Sequence, residues 1–409
     1  MTTKMKIGKN NSFHLTYCTN IHPGEEWCKV FENLKQYIPS LKAEIAPQKS
    51  FGIGLRLAEI AATQLLQGNN LTEFKSWLNE HDLYVFTLNG FPYGGFHSQV
   101  VKDQVYAPDW SKKERLDYTL QLTYILAELL PEDMEGSIST LPLSYKPWFK
   151  ENPNFQASIF QNATLHIAQI VAEMVHIRAN TGKLLHLNLE PEPDGLIENA
   201  AEVVDYFQKH LLPIGGTYLA QHLEITQQAA DAHLLEHVRI CYDTCHFAVE
   251  FENPISVIKE FQAVGIKIGK IQISAALQVD IPQDSEQRHQ LKQRLLPFAE
   301  STYLHQVVAQ EFGRSHNYSD LQTALPHLEN STASEWRIHF HVPIFIRDYQ
   351  HLQSTQDDII TVLELLQNHE ICNHLEIETY TWEVLPSDMK LDLSASIQRE
   401  YEWVLNQFV

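Results

Sequence analysis

The 409-residue chain predicts an α/β barrel of eight parallel strands, a (β/α)8 or TIM barrel with insertions. Two observations carry that expectation and a third supports it by exclusion. Short apolar runs rich in β-branched and aromatic residues alternate with stretches at helical spacing. Most of those runs end in ionisable or amide residues followed by Pro or Gly. No run leads into the third glycine of a GxGxxG string or into a P-loop, so an open doubly wound sheet is disfavoured; Gly52-Ile53-Gly54 stops at two. Length alone allows two or three domains at about 150 residues each. The alternation instead gathers residues 1–409 into one barrel domain, with a core over about 13–385 and a C-terminal helix over 390–408.

In chain order, the strand candidates are Phe13–Thr19, Phe51–Leu57, Leu83–Leu88, Gly136–Leu143, Leu184–Glu190, Arg239–Asp243, Lys267–Ser274, Arg337–Ile346 and Leu375–Trp382. Between or after them fall helix candidates at Glu25–Ile38, Thr72–Asn79, Lys112–Leu130, Ala157–Ala179, Glu198–Leu211, Ile255–Val264, Glu286–Gln310, Asp357–Gln367 and Ser394–Gln407. That is one strand more than a barrel needs. Either Phe51–Leu57 is a loop entering a helix, since GIGLRLAEIAATQLL continues at helical spacing, or Arg337–Ile346 is an added strand in an insertion after Lys267–Ser274.

Composition narrows the function classes. Hydrophobic residues make up 44% and charged residues 20%, enough to build a large core. Acidic residues outnumber basic ones 51 to 30, for a formal charge of -21. Such a surface is unsuited to nucleic acid or an anionic membrane. Five cysteines without zinc-motif pairing, and no charged-then-apolar leader, point to a reducing cytoplasm. No apolar run reaches membrane-spanning length, so membrane insertion is not expected.

The polar strand ends are where chemistry would sit, because barrel enzymes build their sites at the C-terminal ends of the strands. That edge collects Asn20, His22, Asn89, His97, Glu190, Glu192, Asp243, His246, Gln272, His341 and Glu378. Residues two apart in a strand share a face. In LHLNLE, His186, Asn188 and Glu190 therefore face one way and three leucines the other; His339 pairs with His341, and Glu376 with Glu378, in the same manner. Glu190, Asp243 and Glu378 with one imidazole form a set suited to Mn, Mg, Fe, Co or Zn. Such an ion could hold vicinal oxygens and polarise a carbonyl, while Glu190 and Glu378 shuttle a proton on the adjacent carbon. Glu192 and Glu376 read as ordinary polar positions. The loop Asn89–Trp110 carries Tyr93, His97, Lys102, Tyr106 and Trp110; it is either a wall over the barrel mouth or a self-packed Ω-loop. Asn20, His22, Asn89, His97, Lys102 and His246 are the substrate-binding candidates.

At LEPEPDG, YDTCH and LEIETYTW the chain resembles the xylose isomerase-like TIM barrels. The resemblance implies a metal-binding Glu after the fifth strand (Glu190), an Asp in D-x-x-H after the sixth (Asp243, with His246), a His on the seventh and a Glu after the eighth (Glu378). The seventh-strand position is Gln272 in KIQIS, so the fourth ligand is either Gln272 or His341 from HFHVPIF. LTYCTNIHPGEEW, LYVFTLNGFPYGGFH, CYDTCHFAVEFE and ETYTWEVLP further resemble the metabolite traffic protein EboE family. This implies a barrel that handles a small metabolite, with a functional link to a prenyltransferase-like membrane protein. The expected activity is that of a divalent-metal-dependent sugar or sugar-phosphate isomerase or epimerase. A non-catalytic protein that binds and hands over a precursor is the alternative. An endonuclease IV-like hydrolase is weaker, because the chain offers no basic face for DNA.

Overall fold

A computed structural model describes residues 3–97, 100–349, 352–383, 385, 390 and 392–408. Eight parallel strands run through it: β1 (Phe13–Tyr17), β2 (Phe51–Arg56), β3 (Leu83–Asn89), β4 (Gly136–Thr140), β5 (Leu185–Leu189), β6 (Val238–Asp243), β7 (Ile268–Ile273) and β8 (His374–Ile377). Neighbours pair from β2 through β8 and back to β1, with register shifts at Ile53/Gly54 and Ile240/Cys241. The Cys18–Gly54 bridge closes β1 onto β2, and Gly54 N donates to Thr16 Oγ1 at 2.8 Å across the same seam. The fold is a TIM barrel. Among the described residues, no helix is long and apolar enough to cross a membrane.

Phe51–Arg56 is thus a barrel strand, and helix begins only at Glu59, in Glu59–Leu65. The ninth candidate belongs to an insertion between β7 and β8. Residues 275–354 include a six-stranded antiparallel sheet ordered Arg314–Tyr318, Val307–Glu311, Glu335–Val342, Ala275–Asp280, Leu352–Ser354, Asp348–Tyr349. The long helix expected over Glu286–Gln310 is corrected here. It runs only over Ser285–Leu295, because Pro297 cannot continue the hydrogen-bond ladder, and the β-branched Val307-Val308 pair starts a strand instead. The C-terminal helix spans Leu393–Asn406 and packs Tyr401 against Phe51, with centroids 5.6 Å apart.

The barrel interior is polar, where most barrels carry bulky aliphatic layers. On β5 the leucines face the helices and His186 and Asn188 face inward. At the floor, His374 Nδ1 meets Ser137 Oγ at 2.9 Å, and the His14 and His186 rings lie 6.3 and 5.7 Å from that of His374. One layer up, Lys270 Nζ sits 2.5 Å from Glu376 Oε2, both side chains fully buried, and donates to Ser139 Oγ at 3.2 Å. Glu376, read above as an ordinary polar position, is therefore half of a buried ion pair. A Cβ at Gly54 would lie 1.8 Å from Glu376 Oε1, so only glycine leaves room for this carboxylate. Burial works against the Lys270 charge, but Glu376 more than restores it and holds the ammonium above its ordinary range.

Removing one member of a buried pair strands the other charge. Lys270→Met should destabilise the protein by about 3–5 kcal/mol in urea denaturation, and Lys270→Met with Glu376→Gln should recover much of that loss. A double variant as unstable as the sum of the singles would contradict the pairing.

Candidate metal centre

Above the Lys270–Glu376 layer the strand ends deliver carboxylates from three sides. Glu190 follows β5, and its backbone N–H donates to Thr140 O of β4 at 3.0 Å. Asp243 is the last residue of β6 and also caps the helix Thr244–Val249. Glu378 follows β8, with its N–H bonded to Ile273 O of β7 at 3.1 Å. One oxygen from each of Glu190, Asp243 and Glu378 lies within 4.8 Å of the others, and all three residues are buried. Two oxygens bound to one cation at about 2.1 Å sit roughly 3–4 Å apart, so small rotamer adjustments would bring all three onto one ion.

Asp243 and Glu378 are each held through one oxygen. Asp243 Oδ1 accepts from Cys245 N at 2.8 Å, His246 N at 3.1 Å and Ser274 Oγ at 2.6 Å. Its Oδ2 has no partner among the described residues, nor does Glu190 Oε2. Glu378 Oε1 accepts from Asn20 Nδ2 at 2.8 Å and Asn89 Nδ2 at 3.0 Å. Thr379, next along, is clamped by its hydroxyl to Glu400 of the C-terminal helix at 2.6 Å. Burial pushes the Glu190 carboxyl well above its ordinary range, and the neighbouring Glu378 and Asp243 charges add to it. Burial likewise pushes Glu378 up to about 8, with Asp243 and Glu376 adding to it and Lys270 opposing. Unpaired buried oxygens with this much mutual repulsion are what a cation would relieve.

Gln272 of β7 lies opposite Asp243 on one side and Glu376 on the other. Its side chain is fully buried, with neither amide atom partnered among the described residues. His341 comes from the inserted strand Glu335–Val342. Its Nδ1 bonds to the Glu378 carbonyl at 2.8 Å, and it shares a second cluster with Asp243 and His246. The two candidates for a fourth ligand thus both border Asp243, one from the barrel and one from the insertion.

The remaining candidates divide. Asn20, Asn89, Lys102 and His246 line a pocket together with Glu190, Glu378, Phe96, Tyr106, Gln306 and Tyr380. Lys102 is also tied to Asp320 of the insertion at 2.7 Å. His22 and His97 stand behind the wall. His22 Nε2 bonds to the Tyr17 hydroxyl at 2.7 Å and its ring stacks on Tyr37 at 4.3 Å, while His97 Nε2 bonds to Asn20 O. Burial holds His22 down at about 3, so it stays neutral. The loop Asn89–Trp110, whose Ser98 and Gln99 lie outside the described residues, forms one wall of the cavity, with Tyr106 facing in and Trp110 anchored to Thr140 Oγ1 at 3.1 Å.

Two residues were undervalued from sequence. Glu192 is not an ordinary polar position: it lines the cavity, and its Oε2 lies 4.0 Å from His246 Nε2 and 3.9 Å from His339 Nδ1. Burial pushes its carboxyl up to about 8. His339 lines the cavity as well. Its parity with His341 in HFHV was the signal that pointed to it.

No protein-family model matches the chain, and no curated protein sequence does. Solved structures with a similar course include the zinc-bound IolI protein (TM-score 0.47, 11% identity, covering 97% of this chain and 98% of that one). A xylose isomerase domain protein from Alicyclobacillus acidocaldarius gives 0.44 and 9%, covering 96% and 98%. The probable 3-DHS dehydratase AsbF from Bacillus anthracis, involved in petrobactin synthesis, gives 0.43 and 11%, covering 95% and 97%.

The raised carboxyls set a pH dependence for the metal-free protein. A carboxyl with its folded pKa above its unfolded one binds more protons in the folded state, so its contribution is greatest at low pH and is lost as pH rises towards the folded value. Glu192, Glu250, Glu378 and Glu400 are all raised to about 8 by burial. His246, held near 4 by burial, is neutral in both states above pH 7. Thermal stability should therefore fall from pH 7 to 8.5, by up to about 1.4 kcal/mol per pH unit for each group. Glu378→Gln should fall less steeply. A melting temperature that is flat or rising over this window would contradict the assignment.

Proposed function

We propose that the chain is a divalent-metal-dependent isomerase or epimerase-like barrel acting on a small polyhydroxylated or carbonyl metabolite. The observation that carries this is the convergence of Glu190, Asp243 and Glu378 within 4.8 Å of one another, with Glu190 and Glu378 lining the pocket at the barrel mouth and Glu190 Oε2 and Asp243 Oδ2 unpartnered among the described residues. These three would hold the ion, with Gln272 Oε1 as a neutral fourth donor. An oxygen-rich set of this kind suits Mn, Mg, Fe, Co or Zn. When bound, the ion supplies polarisation of a carbonyl and neutralises the oxygen on which charge develops.

The chain's own residues supply the proton chemistry. Asn20 and Asn89 fix Glu378 from one side and leave its second oxygen turned away from them. Glu190 and Glu378 come from strands on different sides of the mouth, and burial raises both carboxyls towards the range where a group can accept and return a proton near neutral pH. One removes the proton from the carbon beside the carbonyl. The electron pair moves onto the carbonyl oxygen, and a carboxylic acid returns the proton at the same or the adjacent carbon. Phe96, Tyr106 and Tyr380 give apolar faces for the carbon skeleton, and Gln306 and Lys102 offer polar contacts. The EboE-type role, in which the metabolite is passed on in concert with a prenyltransferase-like membrane protein, is proposed on the resemblance of the sequence strings.

Metal analysis of the purified chain beside Glu190→Gln and Asp243→Asn tests the site. Affinity for Mn(II) should fall by at least about 100-fold in each, more than loss of an outer-shell partner produces. Unchanged metal content in both variants would remove the metal from the reading. Solvent deuterium should enter the α-carbon of one member of a panel of ketoses and aldoses. No incorporation across the panel by the metal-loaded protein would favour the hand-over role.

A further inference from the structure

The pocket at the barrel mouth has two chemically different ends. The carboxylates form one, with Asn20 and Asn89. The other is apolar. Phe96 from the loop after β3, Tyr303 from the insertion and Tyr380 after β8 pack ring against ring. Their centroids are 5.0 Å apart for Phe96–Tyr303, 5.3 Å for Phe96–Tyr380 and 5.0 Å for Tyr303–Tyr380. All three line the pocket, and so do Val101, Val105 and Leu304. Phe91 and Tyr106 continue the wall, with their rings 5.8 Å apart. This end adjoins the carboxylates directly. Tyr380 is two residues beyond Glu378, and Phe91 N donates at 3.1 Å to Oδ1 of Asn89, the amide that holds Glu378. A polyhydroxylated skeleton carries a hydroxyl on nearly every carbon, and burying those against such a wall without partners is costly. The wall therefore suits a group other than the one the carboxylates act on.

The apolar end also lacks the means to hold an anion. A phosphate group is bound by cationic side chains or by free backbone N–H groups. Lys102 is the only Lys or Arg among the described residues that line the pocket. Its Nζ donates to Asp320 Oδ2 at 2.7 Å and to Glu300 O at 3.2 Å, so its charge is already answered from the insertion. Backbone N–H groups along the wall are spent too. Phe96 N donates to Glu25 Oε1 at 2.9 Å, and Tyr303 N to Glu300 Oε1 at 2.9 Å. Val101 N and Lys102 N both donate to Thr302 O, at 2.8 and 3.1 Å. In barrels that bind phosphate, the loops after the last two strands commonly supply the site. Here the segment after β7 is the insertion, and it brings Tyr303 and Leu304 to the pocket instead.

We infer that the substrate is an uncharged polyhydroxylated or keto head group carrying an apolar substituent, aryl or alkyl, and that sugar phosphates are not its class. The head group meets the carboxylates, and the substituent lies against Phe96, Tyr303, Tyr380, Val105 and Leu304. The head-group half rests on the isomerase-like reading above; the apolar half rests on the wall itself. Burying the substituent supplies binding energy away from the reacting carbon, and that energy can fix the head group against Glu190 and Glu378.

The test is calorimetric titration of the full chain, with and without Mn(II), using four probes: glucose, methyl β-D-glucopyranoside, phenyl β-D-glucopyranoside and glucose 6-phosphate. Affinity should rise at least about 10-fold from the methyl to the phenyl glucoside. Glucose 6-phosphate should bind no better than glucose. Val105 and Leu304 are only partly buried, so serine at either position leaves the core untouched. Val105→Ser and Leu304→Ser should each remove at least about 3-fold of the phenyl advantage and leave Mn(II) affinity as in wild type. Equal affinity for the two glucosides, tightest binding of the phosphate, or binding of none of the four would overturn the inference. Mn(II) binding that still depends on Glu190 would then leave the metal-centre reading standing. A phenyl preference in a chain that binds no Mn(II) would do the reverse, upholding the apolar end and removing the isomerase-like reading.

Discussion

The structure is organised around buried negative charge. Glu190, Glu192, Asp243 and Glu378 are all buried at the mouth of one barrel, and Lys270, the ammonium below them, is already engaged by Glu376. Burying even one carboxylate without compensation is costly, and bringing several together raises the cost further. Burial and mutual repulsion push the Glu190, Glu192 and Glu378 carboxyls up, which favours their protonated forms, and directed donors hold part of the remaining charge: Asn20 and Asn89 on Glu378, and two backbone N–H groups with Ser274 on Asp243. What those donors leave open, Glu190 Oε2 and Asp243 Oδ2, faces the remaining problem, and a divalent cation is its natural solution.

The polar interior below serves the same end. A barrel filled with branched aliphatics would isolate the carboxylates from any counter-charge. Here Lys270 is held one layer down, kept charged by Glu376, and Gly54 gives that carboxylate its room. The ion pair fills the barrel core, and its two charges act on the groups above in opposite directions: the ammonium offsets part of the repulsion on Glu190, while Glu376 adds to the repulsion on Glu378. The insertion closes the site from the other side. Lys102 with Asp320 ties the loop after β3 to the inserted segment, and Gln306 joins His339 to the turn after β5. The cavity is therefore walled by segments far apart in sequence but fastened to each other.

Much of the barrel was legible in the chain because its signals are local. Alternation in LHLNLE assigns faces without any tertiary knowledge, and turn residues after each run mark which end carries function. The positions of Glu190, Asp243 and Glu378 at the ends of three strands follow from that pattern. What could not be read is non-local. The inserted sheet pairs strands such as Arg314–Tyr318, whose sequence RSHNY has no apolar alternation, and Val307–Glu311 adjoins a stretch rich in helix formers. Lys270 and Glu376 sit on neighbouring strands but more than a hundred residues apart, so nothing local marks them as partners. His339 and His341 reach the mouth through a bulge, a feature of pairing rather than of composition. Glu192, two residues beyond Glu190 in a proline-bounded turn, reads as an ordinary polar position until the His246 and His339 rings are placed beside it.

The central claim is that the carboxylates at the mouth hold protons that a cation displaces. Calorimetric titration of Mn(II) into the metal-free chain at pH 7.5, in two buffers of different ionisation enthalpy, measures binding and proton release together. The account predicts saturable binding with at least about one proton released per ion, because raised carboxyls must lose their protons to become ligands. Binding without proton release, or none at all, would contradict it.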